Sequence, residues 1–212
     1  MAMTTPTGGR VNQKKRTRDA IVRAAAELMA TGREVGMPEI ARAALVSEAT
    51  AYRYFPDLSS LLNEAMADQL PEPEVALAAV TDSLDPAERI AAATEFLLRH
   101  VVAREGAVRA MISATVAHPG TAVARPGLRF GLIDAALAPL QDTLGAADPA
   151  AFARLKLGLA AIVGAEALFS LTDLRGLDTE TAITGLVHTA AALTRAAVAE
   201  YEQLRRGRSA EA

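Results

Sequence analysis

Five cations, Arg10, Lys14, Lys15, Arg16 and Arg18, crowd into nine consecutive positions with no acid among them. Such a cluster draws phosphates by releasing their condensed counterions, whatever the base sequence. Further along, the run Ser47-Glu48-Ala49-Thr50-Ala51-Tyr52-Arg53-Tyr54-Phe55 carries side chains able to read a duplex. An arginine can fork onto O6 and N7 of guanine, a threonine can meet a phosphate or a thymine methyl, and a glutamate can accept from cytosine N4. Tyrosine hydroxyls suit phosphate oxygens and so set register rather than sequence. Chemistry of other kinds is sparsely provided for. The chain has no cysteine, which excludes disulfides, thiolate metal sites and a cysteine nucleophile and fits a reducing cytoplasm. Its histidines, His100, His118 and His188, stand far apart without HxxxH or HExxH spacing, so no metal is expected. No GxSxG, P-loop or GxGxxG motif lies on a strand-turn-helix, so neither catalysis nor a cofactor is expected.

The elements that must position these side chains can be read from periodicity. Ile21, Ala25, Leu28 and Met29 fall on one face of a helix beginning near Thr17, and Gly32 marks its end. Pro38 suits the first turn of a second helix, where its missing N–H has no intrahelical partner to lose. Met37, Ile40, Ala41 and Ala44 give that helix one buried stripe. Ser47 is a strong N-cap for a third helix, with Glu48 at the positive end of its dipole. Val46, Ala51 and Phe55 then point inward, and Glu48, Ala49, Thr50, Tyr52, Arg53 and Tyr54 point outward. Two short helices joined through Leu45 to Ser47 have the geometry that seats the second in a major groove.

Residues 14–70 resemble the N-terminal domain of the TetR family of transcriptional regulators, on the strength of Ala44-Leu45-Val46-Ser47 followed by Thr50-Ala51-Tyr52-Arg53-Tyr54-Phe55. The resemblance implies that Thr50, Tyr52, Arg53 and Tyr54 touch DNA, with Glu48 and Ala49 beside them at the helix entrance. Three positions depart from the family pattern. Leu45 replaces the turn glycine and carries strain of about 1 kcal/mol if it keeps a left-handed backbone. Ala51 replaces the leucine of the recognition helix, and Leu58 stands where a phosphate-binding lysine is common. The resemblance also implies that a fourth helix, opened by Pro56 or Asp57, links the DNA-binding domain to a ligand-binding core.

The rest of the chain reads as helices punctuated by proline and glycine. Pro71 and Pro73 mark a domain boundary; Asp85-Pro86 starts a helix to about Arg104, and Glu105 to Ala117 gives a shorter one closed by Pro119-Gly120. Residues 125–145 form another, loosened by Pro126 and Pro139. Asp148-Pro149 opens a long helix to about Leu174, and Asp178 to Arg205 is the last. Small residues dominate the faces of these final two. Small surfaces let helices approach closely, so Gly158, Ala161, Ile162, Ala165, Leu186, Leu193 and Ala197 are candidates for a four-helix dimer interface. A palindrome read by a two-fold pair fits a single reading helix per chain. Phe96, His100, Met111, Arg129, Phe130, Glu166 and Phe169 could line an apolar pocket with a few directional groups for an unidentified small-molecule effector.

Composition bounds the rest. With 51% hydrophobic residues and 4% aromatics in 212, dominated by alanine and leucine, the chain favours an all-α fold of about nine helices, and no repeat indicates a solenoid. The start is polar, and the longest uncharged apolar run, Leu157 to Ala165, falls far short of the roughly 20 residues a membrane span needs. A net charge of −3 conceals an asymmetry: residues 1–55 hold nine cations against five acids, and residues 56–212 thirteen against twenty. The expected organisation is a flexible arm over 1–13, a helix-turn-helix domain over 14–60, a ligand-binding and dimerisation domain over 61–205 and a tail over 206–212. Lys14, Lys15, Arg16, Arg18, Ser47, Glu48, Ala49, Thr50, Tyr52, Arg53 and Tyr54 are the candidate DNA contacts. The leading reading is a cytoplasmic, dimeric, ligand-responsive repressor on a palindromic operator. The alternative is a helical ligand- or partner-binding module that has lost specific DNA recognition.

Overall fold

The computed structural model describes residues 7–67, 72–117 and 127–210. Leu70 and Pro71 at the expected boundary, His118, the Pro119-Gly120 break and Pro126 lie outside the described residues. Among the described residues there are eleven α-helices and no strand. In chain order they are α1 (Thr7–Met29), α2 (Met37–Ala43), α3 (Glu48–Tyr54), α4 (Leu58–Ala67), α5 (Pro73–Ala76), α6 (Pro86–Ala103), α7 (Glu105–Ala117), α8 (Leu128–Ala136), α9 (Pro149–Ile162), α10 (Ala165–Phe169) and α11 (Thr179–Ala210). The number exceeds nine because α5 is a short extra turn and the long helix expected from Asp148 is broken in two.

The chain divides into two compact units. The first, called the head below, comprises residues 1–70 and 103–126; the second comprises 71–102 and 127–212. A cut at residue 60 would fall inside α4, and it would assign α7 to the wrong unit, because α7 packs on α4. Sequence order conceals this: α7 returns to the head after α5 and α6 have left it.

In the head, α1 packs on α2 and α4, and α2 packs on α3. Ile21, Met29, Ile40, Leu61, Leu62 and Met111 are fully or nearly fully buried. Helix α1 begins at Thr7, ten residues before the expected start at Thr17, so positions 7–13 are helical. Once nucleated, a helix extends at little cost, and from Arg10 to Met29 no proline or glycine interrupts it. Gly32 ends that segment at φ 71°, a conformation glycine adopts without strain.

The close approach of α7 to the loop after α1 depends on a second glycine. The amide of Gly106 donates to the carbonyl of Gly32 at 3.2 Å, and a Cβ at Gly106 would lie 2.2 Å from the carbonyl oxygen of Arg33 and 2.5 Å from the amide nitrogen of Glu34. Both obstacles are backbone and cannot rotate away.

In the second unit α9 packs on α11 and α8, and Ile90, Leu98, Leu132, Ile133, Leu137 and Leu159 form its innermost layer. The expected starts hold at the level of hydrogen bonds. Asp85 accepts from the Ala87 amide at 2.8 Å, and Asp148 accepts from the Ala151 amide at 2.8 Å. Asp178 accepts from the Thr181 hydroxyl at 2.6 Å and its amide at 2.9 Å, bonds that hold the carboxyl below its usual range. Pro139 interrupts the segment after α8, which becomes a 3-10 turn at Ala138–Leu140 and a π turn at Gln141–Gly145.

Arg89 is a structural tie that no periodicity announces. Its guanidinium donates to the carbonyls of Val80, Ser83, Ala135 and Ala136 at 2.9–3.3 Å, and so pins the turn before α6 to the end of α8. By length and composition alone α11, with a stretch of mean hydropathy 1.3, comes within reach of a membrane span. One third of that stretch is buried in the fold.

Gly106→Ala is expected to lower stability by about 2–3 kcal/mol, since overpacking against immovable backbone forces the loop or α7 to shift. Denaturant unfolding followed by circular dichroism checks this, and a change below 0.5 kcal/mol, the range of a neutral surface substitution, would contradict the close approach.

Candidate nucleic-acid interface

The reading helix is held in place by its entrance. Helix α2 ends at Ala43 with Ala44 as its C-cap, and the amides of Leu45 and Val46 donate to the carbonyls of Arg42 at 3.1 Å and Ala41 at 2.9 Å. These paired bonds define a Schellman motif, whose left-handed position is normally glycine. Here Leu45 occupies it at φ 56°, the one non-glycine residue with positive φ among the described residues. The turn is therefore not reshaped: the backbone keeps the glycine-type reversal, and the leucine carries the strain. Its side chain is 93% exposed and gains no burial in return.

Ser47 then caps α3 as expected, its hydroxyl accepting from the Thr50 amide at 3.2 Å and lying 2.9 Å from the Thr50 hydroxyl. Ala51 and Phe55 are buried, which anchors one side of α3. Glu48, Ala49, Tyr52 and Arg53 are exposed, while Thr50, Tyr54 and Val46 are half-buried. The Arg53 guanidinium lies over the Tyr54 ring at 5.7 Å, so two of the outward side chains support each other.

The basic cluster divides when placed on α1. Lys14, Lys15 and Arg16 are exposed on the helix. Lys14 lines a shallow groove of about 360 Å³ with Gln13, Thr17, Thr50, Arg53 and Tyr54, so its amine shares a concave surface with the outward side of α3. Arg18 has a different task. It pairs with Glu64 on α4 and lies 4.9 Å over the Phe55 ring, which makes it a tie between α1, α4 and the end of α3 rather than a free phosphate ligand. Helical spacing explains the split, because positions 14 and 18 are near one face while Glu64 reaches only the later turn.

Helix α4 is capped by Asp57, which accepts from the Ser60 amide at 2.7 Å and its hydroxyl at 3.0 Å. Only Phe55 and Pro56 separate this cap from the end of the reading helix. Residues 21–65, which span the end of α1, α2, α3 and most of α4, match the family model described as bacterial regulatory proteins, tetR family. This segment of the head is similar to the TetR family. The crystal structure of a TetR transcriptional regulator from Rhodococcus sp. RHA1 superposes with a TM-score of 0.51, covering 85% of this chain and 97% of that one at 24% identity, and so shares its fold. No curated protein matches the sequence. The chain thus carries a helix-turn-helix segment similar to the TetR family on an all-α body.

The residues expected to line an effector pocket do not form one group. Phe96 and His100 stack with ring centroids 6.5 Å apart. Arg129 pairs with Glu166 at 3.1 Å and lies 5.7 Å over Phe130, whose ring is 56% exposed. Met111 is buried in the head, and Phe169 is half-buried in the second unit. Arg129 also has a structural duty. It donates to the Ala160 carbonyl at 3.3 Å, filling the open end of α9 where Val163 and Gly164 leave the helix, while Glu166 opens α10. The two helices bend by 48° at this break.

Among the dimer candidates, Ala165 and Leu186 are buried within the chain, and Gly158 serves the approach of α9 to α11, its Cβ position lying 3.1 Å from Cδ2 of Leu193. Ala161 and Leu193 remain exposed and Ile162 and Ala197 half-exposed. Small residues at helical spacing mark a close approach, whether the partner is the same chain or another.

Leu45→Gly is expected to raise stability by about 0.5–1 kcal/mol. Relief of about 1–2 kcal/mol of left-handed strain exceeds the about 0.4–1 kcal/mol that glycine adds to the freedom of the unfolded chain. Chemical denaturation checks it, and an unchanged or lower stability would mean that Leu45 is not strained.

Proposed function

We propose that this protein is a cytoplasmic, dimeric, ligand-responsive repressor that reads a palindromic operator with α3. The observation that carries the reading is the rigid placement of Glu48, Ala49, Thr50, Tyr52, Arg53 and Tyr54 on a capped helix with one buried side, next to the exposed cations of α1. Arg53 and Glu48 address base edges; Tyr52, Tyr54, Thr50, Ser47, Lys14, Lys15 and Arg16 address phosphates. The kept backbone at Leu45 argues against a head that has lost its geometry. Arg18 contributes by fixing α1 against α4.

Dimerisation is supported by an apolar surface that the chain leaves uncovered. Leu157 is 71% and Leu204 54% exposed, and with Ala161 on α9 and Leu193 and Ala197 on α11 they form two helical stripes. Arg154 and Glu200 join the same stripes and give a two-fold pair opposite charges to match. The high hydropathy of α11 fits this use, with a second copy covering what the fold does not.

An effector acts on such a dimer only through different affinity for its DNA-competent and incompetent states. The second unit offers Phe96, His100, Phe130 and Phe169 for an apolar ligand; Arg129 and Glu166 are available only as far as their tie across the α9–α10 break allows.

Footprinting on the DNA upstream of the coding region should show one protected palindrome. Arg53→Ala weakens its binding by about 1–3 kcal/mol per half-site while affinity for scrambled DNA changes little, whereas Tyr52→Ala weakens binding to both DNAs alike. Equal affinity for both DNAs in the wild-type protein would refute sequence-specific reading. Separately, Leu157→Glu combined with Leu204→Glu is expected to bring the mass measured by light scattering down to that of one chain, with operator affinity falling because only one half-site is engaged. A double variant that keeps the wild-type mass would place the interface elsewhere.

A further inference from the structure

Arg18 is set apart from the rest of the basic cluster by a single carboxylate. Both terminal nitrogens of its guanidinium bond to the two oxygens of Glu64, the forked pairing in which arginine holds a carboxylate most firmly. Glu64 is the only charged residue among the ten of α4, six of which are buried, so the one charge this helix carries is directed at α1. The same guanidinium lies over the ring of Phe55, the residue that caps the C-terminal end of α3.

The place of this pair on α1 is what makes it informative. Arg18 follows Lys14 by four residues, about 6 Å along the helix and on the same side. Lys14 lines the groove that Thr50, Arg53 and Tyr54 share. The Arg18 side chain is 45% exposed, so a phosphate arriving beside Lys14 has access to it. A carboxylate and a phosphate offer arginine the same forked acceptor geometry, and while Glu64 fills the fork a phosphate cannot.

We propose that Glu64 takes the place of a DNA phosphate on Arg18 and withholds that cation from the backbone, so that Arg18 steadies the end of α3 and adds no sequence-independent affinity. The proposal rests on the DNA-binding reading above. Phosphate contacts strengthen binding to every sequence alike, whereas a well-placed reading helix strengthens it only where the bases match. Glu64 therefore lowers affinity for arbitrary DNA, and Arg18, a positioning residue acting through Phe55, raises the preference for the operator. Ion pairs this exposed add little to folding stability, so the effect is to be read in DNA binding rather than in unfolding.

The test measures the salt dependence of binding by the full-length protein to the footprinted palindrome and to a scrambled duplex, for the wild type, Arg18→Gln, Glu64→Gln and the double variant. On scrambled DNA, Glu64→Gln is expected to steepen the slope of log K against log salt by about 0.9 per bound chain, the share of one freed cation. Arg18→Gln should leave that slope where it is, while Lys14→Gln lowers it by about 0.9. In the double variant the slope returns to the wild-type value. Both single variants should reduce the ratio of operator to scrambled affinity by about two- to fivefold per half-site, the range of an exposed cation–π contact. A slope lowered by Arg18→Gln, a slope unmoved by Glu64→Gln, or an undiminished ratio would each overturn the proposal. So would a steepening that persists in the double variant, since it would come from the lost carboxylate alone. If a variant fails to fold, the wild type decides: on adding operator DNA the Arg18 Nε–H resonance should hold its position while that of Arg53 moves, and an equal movement of both overturns the proposal. Equal wild-type affinity for the two duplexes would refute the repressor reading, and the slopes on scrambled DNA would still decide whether Glu64 withholds Arg18. Failure to bind either duplex overturns both.

Discussion

The left-handed backbone at Leu45 is the constraint on which the reading head depends. It lets the amides of Leu45 and Val46 turn back onto the last carbonyls of α2 and delivers Ser47 in the extended conformation needed to cap α3. If that reversal relaxed, α3 would leave α2 at another angle, and Ala51 and Phe55 could not both remain buried. A leucine tolerates this conformation only because its neighbours over-determine it. The caps, the buried side of α3 and the Arg18 tie all act on the same few residues, so the cost of one unfavourable dihedral is spread over a unit that gains from it as a whole.

Helix α4 extends that constraint inward. Its cap Asp57 follows the reading helix after two residues, its Glu64 pairs with Arg18 of α1, and it packs on α7. One helix thus carries both the anchor of the DNA-reading side and a buried hydroxyl and amide, of Ser59 and Asn63, without hydrogen-bond partners. Positioning of α3 and the burial of those groups are properties of a single rigid element, which is why a disturbance on one side cannot be confined there.

Legibility in the sequence followed the range of the interaction. Pro38, Ser47, Asp57, Asp85, Asp148 and Asp178 act on residues two or three positions away, and each opens a helix where local chemistry says it should. The buried side of α3 was equally readable, since Ala51 and Phe55 follow helical spacing. What could not be read were partners far along the chain. Arg18 looks like one more phosphate-binding cation until Glu64 is placed beside it. Arg129 and Glu166 look like directional groups in an apolar pocket until the break at Val163-Gly164 shows what they span. The return of α7 to the head leaves no local signature at all, because a helix does not record in its own periodicity which neighbour it meets.

The small-residue faces show the same limit in its sharpest form. Gly158 and Gly106 each mark a place where something comes too close for a side chain, but sequence does not say what: for Gly158 it is Leu193 of the same chain, and for Gly106 it is the backbone at Arg33. The alanines of α7 are the opposite case, small residues with open space beside them. Close approach and deliberate vacancy therefore share one composition, and only neighbouring polar groups distinguish them. Where the surroundings are apolar, as between α9 and α11, a small residue serves packing. On α4, which packs against α7, the Ser59 hydroxyl and the Asn63 amide are buried without hydrogen-bond partners, a cost that close packing alone does not offset.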